Sequence, residues 1–477
     1  MTLYERLSEY SESDYYGFHM PGHKRNRELM NNDLPYGIDI TEIEGFDDLH
    51  HATGVLEEAQ KCAAKVYKAE ESHFLVNGST VGILSAILGN TQRGDAVLVA
   101  RNCHKSVYHA IYLNGLTPYY LYPEFRPDIQ LNTGISVSAV KAALKEHSEI
   151  RAVIIVSPTY DGVLSDIRGI TEAVHEKGIP LIVDEAHGAH FGFHSYFPEN
   201  AVAKGADVVI HSLHKTLPSP TQTALLHMSG TYADRKKVRN YLDILQSSSP
   251  SYILMAGIDA CVDALAHRRE EMFMPYVSRL KELRGELKKL KYLRLVETDA
   301  EFYDPSKLVI SVADTDLSGR ELYEILLKEY HLQMEMAAGT YVLAMTSVGD
   351  TEEGFARFRD ALFSIDRRQA ERVENGEVLD KDDLSRRNIS GRLPVAERVY
   401  TSYETEEISE RISLLWKEAE GCISAEYAYL YPPGIPLIVP GERVTEEITE
   451  ILRSYSDLGF SIEGLKEEGY IEVLING

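Results

Sequence analysis

The sequence predicts an α/β protein built on a mostly parallel sheet, and three observations carry that expectation. Short apolar runs recur: "AVLVA" at 96–100, "AVIIVS" at 152–157, "PLIVD" at 180–184 and "DVVIH" at 207–211. Runs this short and this rich in Val, Ile and Leu suit strands buried on both faces. Stretches with helical spacing separate them. In "DIRGITEAVHEKG", Ile167, Ile170 and Val174 share one helix face and Gly178 supplies a stop. Finally, Asp184 and the cluster His211–Lys215 fall at the carboxyl ends of these runs, where parallel sheets place ligand sites.

The remaining elements follow in chain order. "GVLEEAQKCAAKVYKA" (54–69) reads as a helix, and "NGSTVGILSAILGN" (77–90) as a loop entering a more apolar one. After about residue 265 the charge density rises, and "SRLKELRGELKKLKYL" suggests a long exposed connecting helix. "KLVISV" (307–312), "SGRELYEILLKEY" (318–330) and "YVLAMTSV" (341–348) form a smaller α+β pattern. "DRRQAERVENGEVLDKDDLSRRN" (366–388) is charged and weakly periodic, as a linker would be. The expected division is an N-terminal segment at 1–53, a large sheet domain at 54–265, and a connecting helix with a small α+β domain at 266–365. A charged linker at 366–390 and a C-terminal domain at 391–477 complete it.

Composition excludes several function classes. The 477 residues carry 49 Lys and Arg against 74 Asp and Glu, a net charge of −25, with no basic stripe to neutralise phosphates. Nucleic acid is therefore not an expected partner, whereas a cationic small molecule suits the negative field. No apolar stretch approaches the roughly 18 residues that span a bilayer. The polar, acidic start "MTLYERLSEYSESD" is unlike a signal peptide, so a cytoplasmic protein without a membrane partner is expected. Cys62, Cys103, Cys261 and Cys422 lie far apart and form no CxxC pair, which indicates neither a disulfide framework nor a cysteine zinc site.

The polar residues at the strand ends match what a pyridoxal phosphate site requires: a Schiff-base lysine, a carboxylate for the ring nitrogen, hydroxyls and a helix N-terminus for the phosphate, and a flat group over the ring. Lys215 follows "DVVIH" in a loop, although a lysine there is more often a solvated surface charge. Asp184 ends "PLIVD", where an acid also serves as a turn cap. The tripeptide "GST" (78–80) opens a helix and offers Ser79, Thr80 and backbone N–H groups to an anion, although a plain N-cap looks the same. Ser212 adds a hydroxyl three residues before Lys215, and His104, after "AVLVARN", offers an imidazole for the ring face. The rival reading is a metal site in "DEAHGAHFGFH", where His187, His190 and His194 follow Asp184.

Taken together these stretches resemble the Orn/Lys/Arg decarboxylases, pyridoxal-phosphate enzymes of the aspartate-aminotransferase fold (fold type I). The likeness rests on "FHMPGHK" (18–24), "DDLHHATG" (47–54), "NGSTVG" (77–82), "RNCHKS" (101–106) and "SPTYDG" (157–162). It continues through "VDEAHGAH" (183–190), "HSLHK" (211–215), "SSSPSY" (247–252) and "YPPGIPLIVPGE" (431–442). The resemblance implies Lys215 as the Schiff-base lysine, Asp184 at the ring nitrogen, His104 stacked on the ring and Ala186 beneath it. It implies Ser79, Thr80 and Ser212 on the phosphate, and His214 as a group that delivers a proton after carbon dioxide leaves. Ser249 in "SSSPSY" would reach a phosphate in the neighbouring subunit, which implies a homodimer with shared sites. His187 stands where many members carry an aromatic residue, leaving the contact to the cofactor's phenolic oxygen open. The chain starts close to "FHMPGHK", without the preceding wing domain that supports decamers in larger members. This shortness is like that of the biosynthetic arginine enzymes.

The resemblance further implies decarboxylation of a basic amino acid in polyamine metabolism, with arginine first and lysine or ornithine next. Asp47, Asp48 and Glu426 are candidate partners for the substrate's cationic end, since a buried cation needs a paired carboxylate. Three rivals stand beside this reading. An aminotransferase or lyase would use the same cofactor but wants an arginine on the substrate carboxylate, and none is convincingly placed. The second is the histidine-cluster metal hydrolase. The third is non-catalytic, a cofactor-binding regulator or an inactive paralogue, but no DNA-binding extension is visible and the proposed Lys215 and Asp184 are both present.

Overall fold

The computed structural model describes residues 1–13, 20–21, 23–24, 34–298, 302–376, 392–430, 434–457 and 459–475. The chain divides into two units: Met1–Thr91 with Arg151–Ile154 and Ile167–Met274, and Gln92–Ile150 with Ile155–Asp166 and Pro275–Gly477.

The first unit is organised by strands β1 (Glu71–Leu75), β2 (Ile150–Val156, of which 151–154 belong here), β3 (Leu181–Asp184), β4 (Val208–Ser212) and β5 (Ala224–Met228). Their order is β1-β5-β4-β3-β2. β3 and β4 run parallel, with Ile182 opposite Val208 and Asp184 opposite Ile210. β5 runs antiparallel to both β4 and β1. Every residue of β3, β4 and β5 is buried, which explains why these segments lack polar alternation. The helix expected between 166 and 178 forms at Ile167–His175, with Gly178 at φ +71° beyond it.

Helices α1 (Leu3–Glu12), α2 (Val55–Tyr67), α3 (Gly78–Asn90), α4 (Ile167–His175), α5 (Arg235–Leu245) and α6 (Tyr252–His267) surround this sheet. Two glycines let α3 approach its neighbours closely. A Cβ on Gly82 would stand 2.6 Å from Leu75 Cδ1, and one on Gly89 would stand 2.7 Å from the Val238 backbone nitrogen on α5. α1 opens with a capping box from Thr2 and Glu5, and its Leu3 N–H donates to Asp259 of α6 at 2.7 Å. The N-terminal segment thus belongs to the first unit.

In the second unit, Ala96–Ala100 and Thr117–Leu121 pair in parallel. A four-stranded antiparallel sheet, ordered Arg294–Leu295, Lys307–Ser311, Tyr341–Met345, Met336–Ala337, matches the α+β pattern expected there. Its helix Gly319–Tyr330 opens with a capping box from Ser318 and Glu321. Farther on, Trp416, Ala428, Leu437, Ile438, Val444, Ile448 and Val473 share one apolar cluster. The stretch 366–390, expected as linker, begins inside the helix Glu352–Glu374; Asp366 there accepts N–H groups of Tyr292 and Leu293 at 2.8 Å each. The rest of that stretch, from 377 on, lies outside the described residues. Parts of "FHMPGHK" and "YPPGIPLIVPGE" lie outside them too. Among the described residues no helix is long and apolar enough to cross a membrane, and the four cysteines are free thiols.

Candidate active site

The parallel pairing of β3 with β4 brings the two central residues to one place. β3 ends at Asp184, β4 ends at Ser212, and a single helical turn, Leu213–Thr216, presents Lys215. Lys215 Nζ lies 2.9 Å from His187 Nε2. For His187 to accept at Nε2, its ring carries the proton on Nδ1. Asp184 is 4% exposed and accepts the Ala186 N–H at 3.1 Å. Burial pushes its carboxyl above the usual range, while the Lys215 charge and the Ala186 N–H pull it back. Asp184 is therefore a buried acid within electrostatic reach of Lys215.

The N-terminus of α3 has no side-chain cap. Its N-cap, Asn77, makes no capping bond to the helix, because Asn77 Oδ1 accepts Ser247 N–H at 3.1 Å instead. Gly78 sits at φ +76°, and among the described residues no side chain accepts from the first N–H groups of α3. Ser79 is half-buried and Thr80 exposed at this end. Gly82 also seats α3 against Ile210, 3.3 Å from where its Cβ would be. Two residues on, and on the same face of β4, Ser212 Oγ is fully buried without a hydrogen-bond partner among the described residues. A buried orphan hydroxyl is costly unless something fills the position.

His214 is held by its backbone neighbourhood. Nδ1–H donates to Thr223 O at 3.0 Å, which leaves Nε2 as the proton-exchanging nitrogen. Burial lowers its pKa, the Thr223 carbonyl opposes that, and the Lys215 charge lowers it further. Thr223 was not visible as a functional residue in the sequence; its carbonyl acts through β5, which only the fold brings alongside.

Other expected residues have different surroundings. The Asp47 carboxylate accepts N–H groups of Gly54 at 2.7 Å, of Asp48 and Thr53 at 3.0 Å and of Leu56 at 3.1 Å. It caps the start of α2, and although burial raises its pKa, these four bonds together hold it below the usual range. Asp48 bonds His51 at 2.9 Å on the surface. In the second unit, one oxygen of Glu426 takes Lys466 N–H at 2.9 Å and the other Glu472 N–H at 2.8 Å. His104, likewise in the second unit, caps the helix Lys105–Leu113, its Nδ1 accepting Ser106 N–H at 3.2 Å. Ser249 is exposed, and its segment lies along its own chain, with Ser247 O 2.8 Å from His50 Nε2.

The histidine cluster disperses. His187 turns to Lys215, His190 packs edge-on to Phe197 at 4.8 Å, and His194 Nδ1 accepts Tyr196 N–H at 3.0 Å. Among the described residues no group of three His, Cys, Asp or Glu is arranged to hold a metal.

A lysine on a strand-end turn, a buried acid on the adjacent parallel strand and an uncapped helix N-terminus define a pyridoxal-phosphate enzyme of fold type I. The solved lysine decarboxylase LdcF of Francisella novicida shares this fold, with a TM-score of 0.83 at 20% identity over 99% of this chain and 81% of that one. The family described as Orn/Lys/Arg decarboxylase, major domain, matches residues 1–306, and its C-terminal domain matches residues 396–468. The chain belongs to the Orn/Lys/Arg decarboxylase family. It is 31% identical to an arginine decarboxylase of Bacillus anthracis, over 97% of this chain and 94% of that relative. An arginine decarboxylase of Bacillus subtilis (strain 168) is 30% identical over 97% of this chain and 95% of its own length.

The protein is thus a pyridoxal-phosphate-dependent decarboxylase of a basic amino acid, and its residues fit that cofactor. The orphan Ser212 hydroxyl and the uncapped N–H groups of α3 suit a phosphate, and the buried Asp184 carboxylate suits a protonated ring nitrogen.

Proposed function

We propose that the preferred substrate is arginine, released as agmatine. The observation that carries this choice is the near-full-length similarity to two relatives named arginine decarboxylase. Lysine and ornithine are the competing substrates. Measuring carbon dioxide release from each amino acid separately tests the choice; kcat/KM highest for lysine or ornithine overturns it.

Lys215 Nζ is the attachment point for the cofactor, and His187, 2.9 Å away, takes up and returns its proton. Bound there, pyridoxal phosphate supplies an electron sink for the pair left when the bond to the carboxylate breaks. Asp184 holds the ring nitrogen's proton, while Ser79, Thr80, Ser212 and the α3 N-terminus hold the phosphate. His214 Nε2, after taking up a proton from solvent, would deliver it to the substrate carbon once carbon dioxide departs. The resemblance, rather than any distance, supports His104 on the ring face, Ala186 beneath it, and Ser249 serving a partner subunit in a homodimer. A cytoplasmic setting is part of the same reading. Asp47, Asp48 and Glu426 are the candidate acids for the substrate's cationic end, although the oxygens of Asp47 and Glu426 also accept backbone N–H groups.

Lys215→Ala is expected to abolish both the visible cofactor band and turnover. Turnover within tenfold of the parent would remove Lys215 from the mechanism. Keto-acid formation in place of carbon dioxide would favour an aminotransferase.

A further inference from the structure

Behind Asp184 and Ser212 lies a second, buried polar pair that the reaction does not use. Glu185 follows Asp184 and His211 precedes Ser212, so both side chains point to the opposite face of the sheet from the two proposed cofactor ligands. Glu185 N–H donates to Ile210 O at 3.0 Å, which extends the β3–β4 ladder past Asp184. Glu185 Oε2 lies 2.7 Å from His211 Nε2, with the residues 1% and 0% exposed. Both carboxyl oxygens also reach Ala201 N–H, at 3.1 and 2.9 Å. A Cβ on Gly188 would stand 2.7 Å from Glu185 Cγ, so the turn that presents His187 to Lys215 is moulded over the Glu185 stem.

We propose that Glu185 and His211 are a positioning pair which clamps the two strand ends carrying Asp184 and Ser212, with Glu185 acting as a neutral carboxylic acid. The inference rests on reading Asp184 and Ser212 as cofactor ligands. Two buried carboxyls on consecutive residues cannot both ionise cheaply, and a charge on Glu185 makes Asp184 harder to ionise. A neutral Glu185 leaves the single negative charge on Asp184, where the ring nitrogen needs it. Burial acts in that direction, raising the Glu185 carboxyl and lowering the His211 imidazole. The Ala201 N–H and the charges of Lys204 and His190 oppose the shift on Glu185 without cancelling it. The rings of Tyr67 and His227, 4.9 and 5.0 Å from His211, close the pocket, and Tyr67 O–H is committed to Ala189 O at 2.8 Å.

The test compares cofactor binding by apoenzymes, the pH midpoint of the bound cofactor's visible band, and the melting temperature of each apo form. Glu185→Gln keeps the shape and the hydrogen bonds without any charge, and is expected to bind within about threefold of the parent. Glu185→Ala and His211→Leu are expected to weaken binding by about tenfold or more, the equivalent of one lost buried hydrogen bond, and to move the band's midpoint. His211→Gln, which still accepts from Glu185, is expected to rescue both readouts. Glu185→Gln behaving like Glu185→Ala overturns the neutral acid. Parent-like binding and midpoint in His211→Leu or Glu185→Ala overturn the clamp, whatever the apo melting temperature does. Unchanged binding and midpoint in Asp184→Ala would instead overturn the underlying site assignment.

Discussion

The Arg101–Glu442 pair, wholly within the second unit, allows a quantitative test of the structure. The two side chains are 1% and 2% exposed, with Arg101 Nη2 3.2 Å from Glu442 Oε2. Arg101 Nη1 also donates to Pro436 O at 2.6 Å and to Tyr108 O–H at 3.0 Å, and Glu442 Oε2 accepts Val439 N–H at 2.9 Å. At an effective dielectric near 20, charges at this separation attract by about 5 kcal/mol, and desolvating both ions offsets much of it. The pair as a whole therefore adds little, but either ion left alone is expensive. Glu442→Ala strands a buried guanidinium and is expected to cost about 3–5 kcal/mol, a large part of the roughly 5–15 kcal/mol that typical domains possess. Glu442→Gln keeps an acceptor and loses the charge, and is expected to cost about 1–3 kcal/mol.

The chain supplies its own probe. Trp416 is the single tryptophan, packed in the same cluster as Leu437 and Ile438, and its Nε1–H donates to Tyr470 O at 2.9 Å. Urea titration followed by Trp416 emission thus reads the core next to the carbonyls that Arg101 grips. Arg101→Met combined with Glu442→Leu removes both charges and is expected to be more stable than Glu442→Ala alone. If Glu442→Ala unfolds within about 1 kcal/mol of the parent, Arg101 does not depend on that carboxylate and the reasoning fails.

Three further outcomes are expected. Ser212→Ala removes a hydroxyl that bonds nothing among the described residues, so apoenzyme stability stays within about 0.5 kcal/mol while cofactor affinity falls about tenfold; the reverse pattern, read by urea titration and cofactor titration, would make Ser212 structural. Asp47→Ala uncaps α2 and costs about 1–2 kcal/mol with the substrate KM unchanged, and a raised KM at parental stability would assign Asp47 to substrate binding. Glu71 is raised by burial but held down to about 2 by hydrogen bonds from His73 and Arg239. Its folded value lies below the unfolded 4.5, so its contribution is full above pH 4.5 and is lost as pH falls toward 2. Glu71→Gln should thus trail the parent by at most about 3 kcal/mol near pH 6, less because Arg239 is half exposed, and the two should converge near pH 2.

Much of this architecture was legible in the chain because burial leaves a pattern. β3 and β4 are apolar at nearly every position, and α4 shows its face at Ile167, Ile170 and Val174. Charged residues carried less of the pattern. Asp47 stands at φ +68° ahead of a helix, and its carboxylate is drawn to the unpaired N–H groups there, a structural task its charge alone did not reveal. The stretch after 366 read as linker because its charges lie on an exposed face, while Phe358, Leu362 and Ile365 anchor the same helix one and two turns earlier. Glu426 carried no local signal at all. Its partners, Lys466 and Glu472, are distant in sequence and meet it only through the fold.

The strand-end cluster shows why chemical motifs are longer than the chemistry needs. Alternation along a strand assigns Asp184 and Ser212 to one face of the sheet and Glu185 and His211 to the other. Only the first pair suits the cofactor, yet the second pair binds the same strand ends together within 2.7 Å. A buried acid such as Asp184 must keep its position within a fraction of an ångström to hold a ring nitrogen, and a single backbone ladder bond does not guarantee that. A polar contact on the hidden face supplies the missing constraint without entering the site. The physical consequence is asymmetric: on the cofactor face the charge itself is required, whereas on the hidden face shape and hydrogen bonding suffice. Neighbouring acids in "VDEAHGAH" should therefore respond oppositely to amide substitution, Asp184→Asn losing function where Glu185→Gln retains cofactor binding.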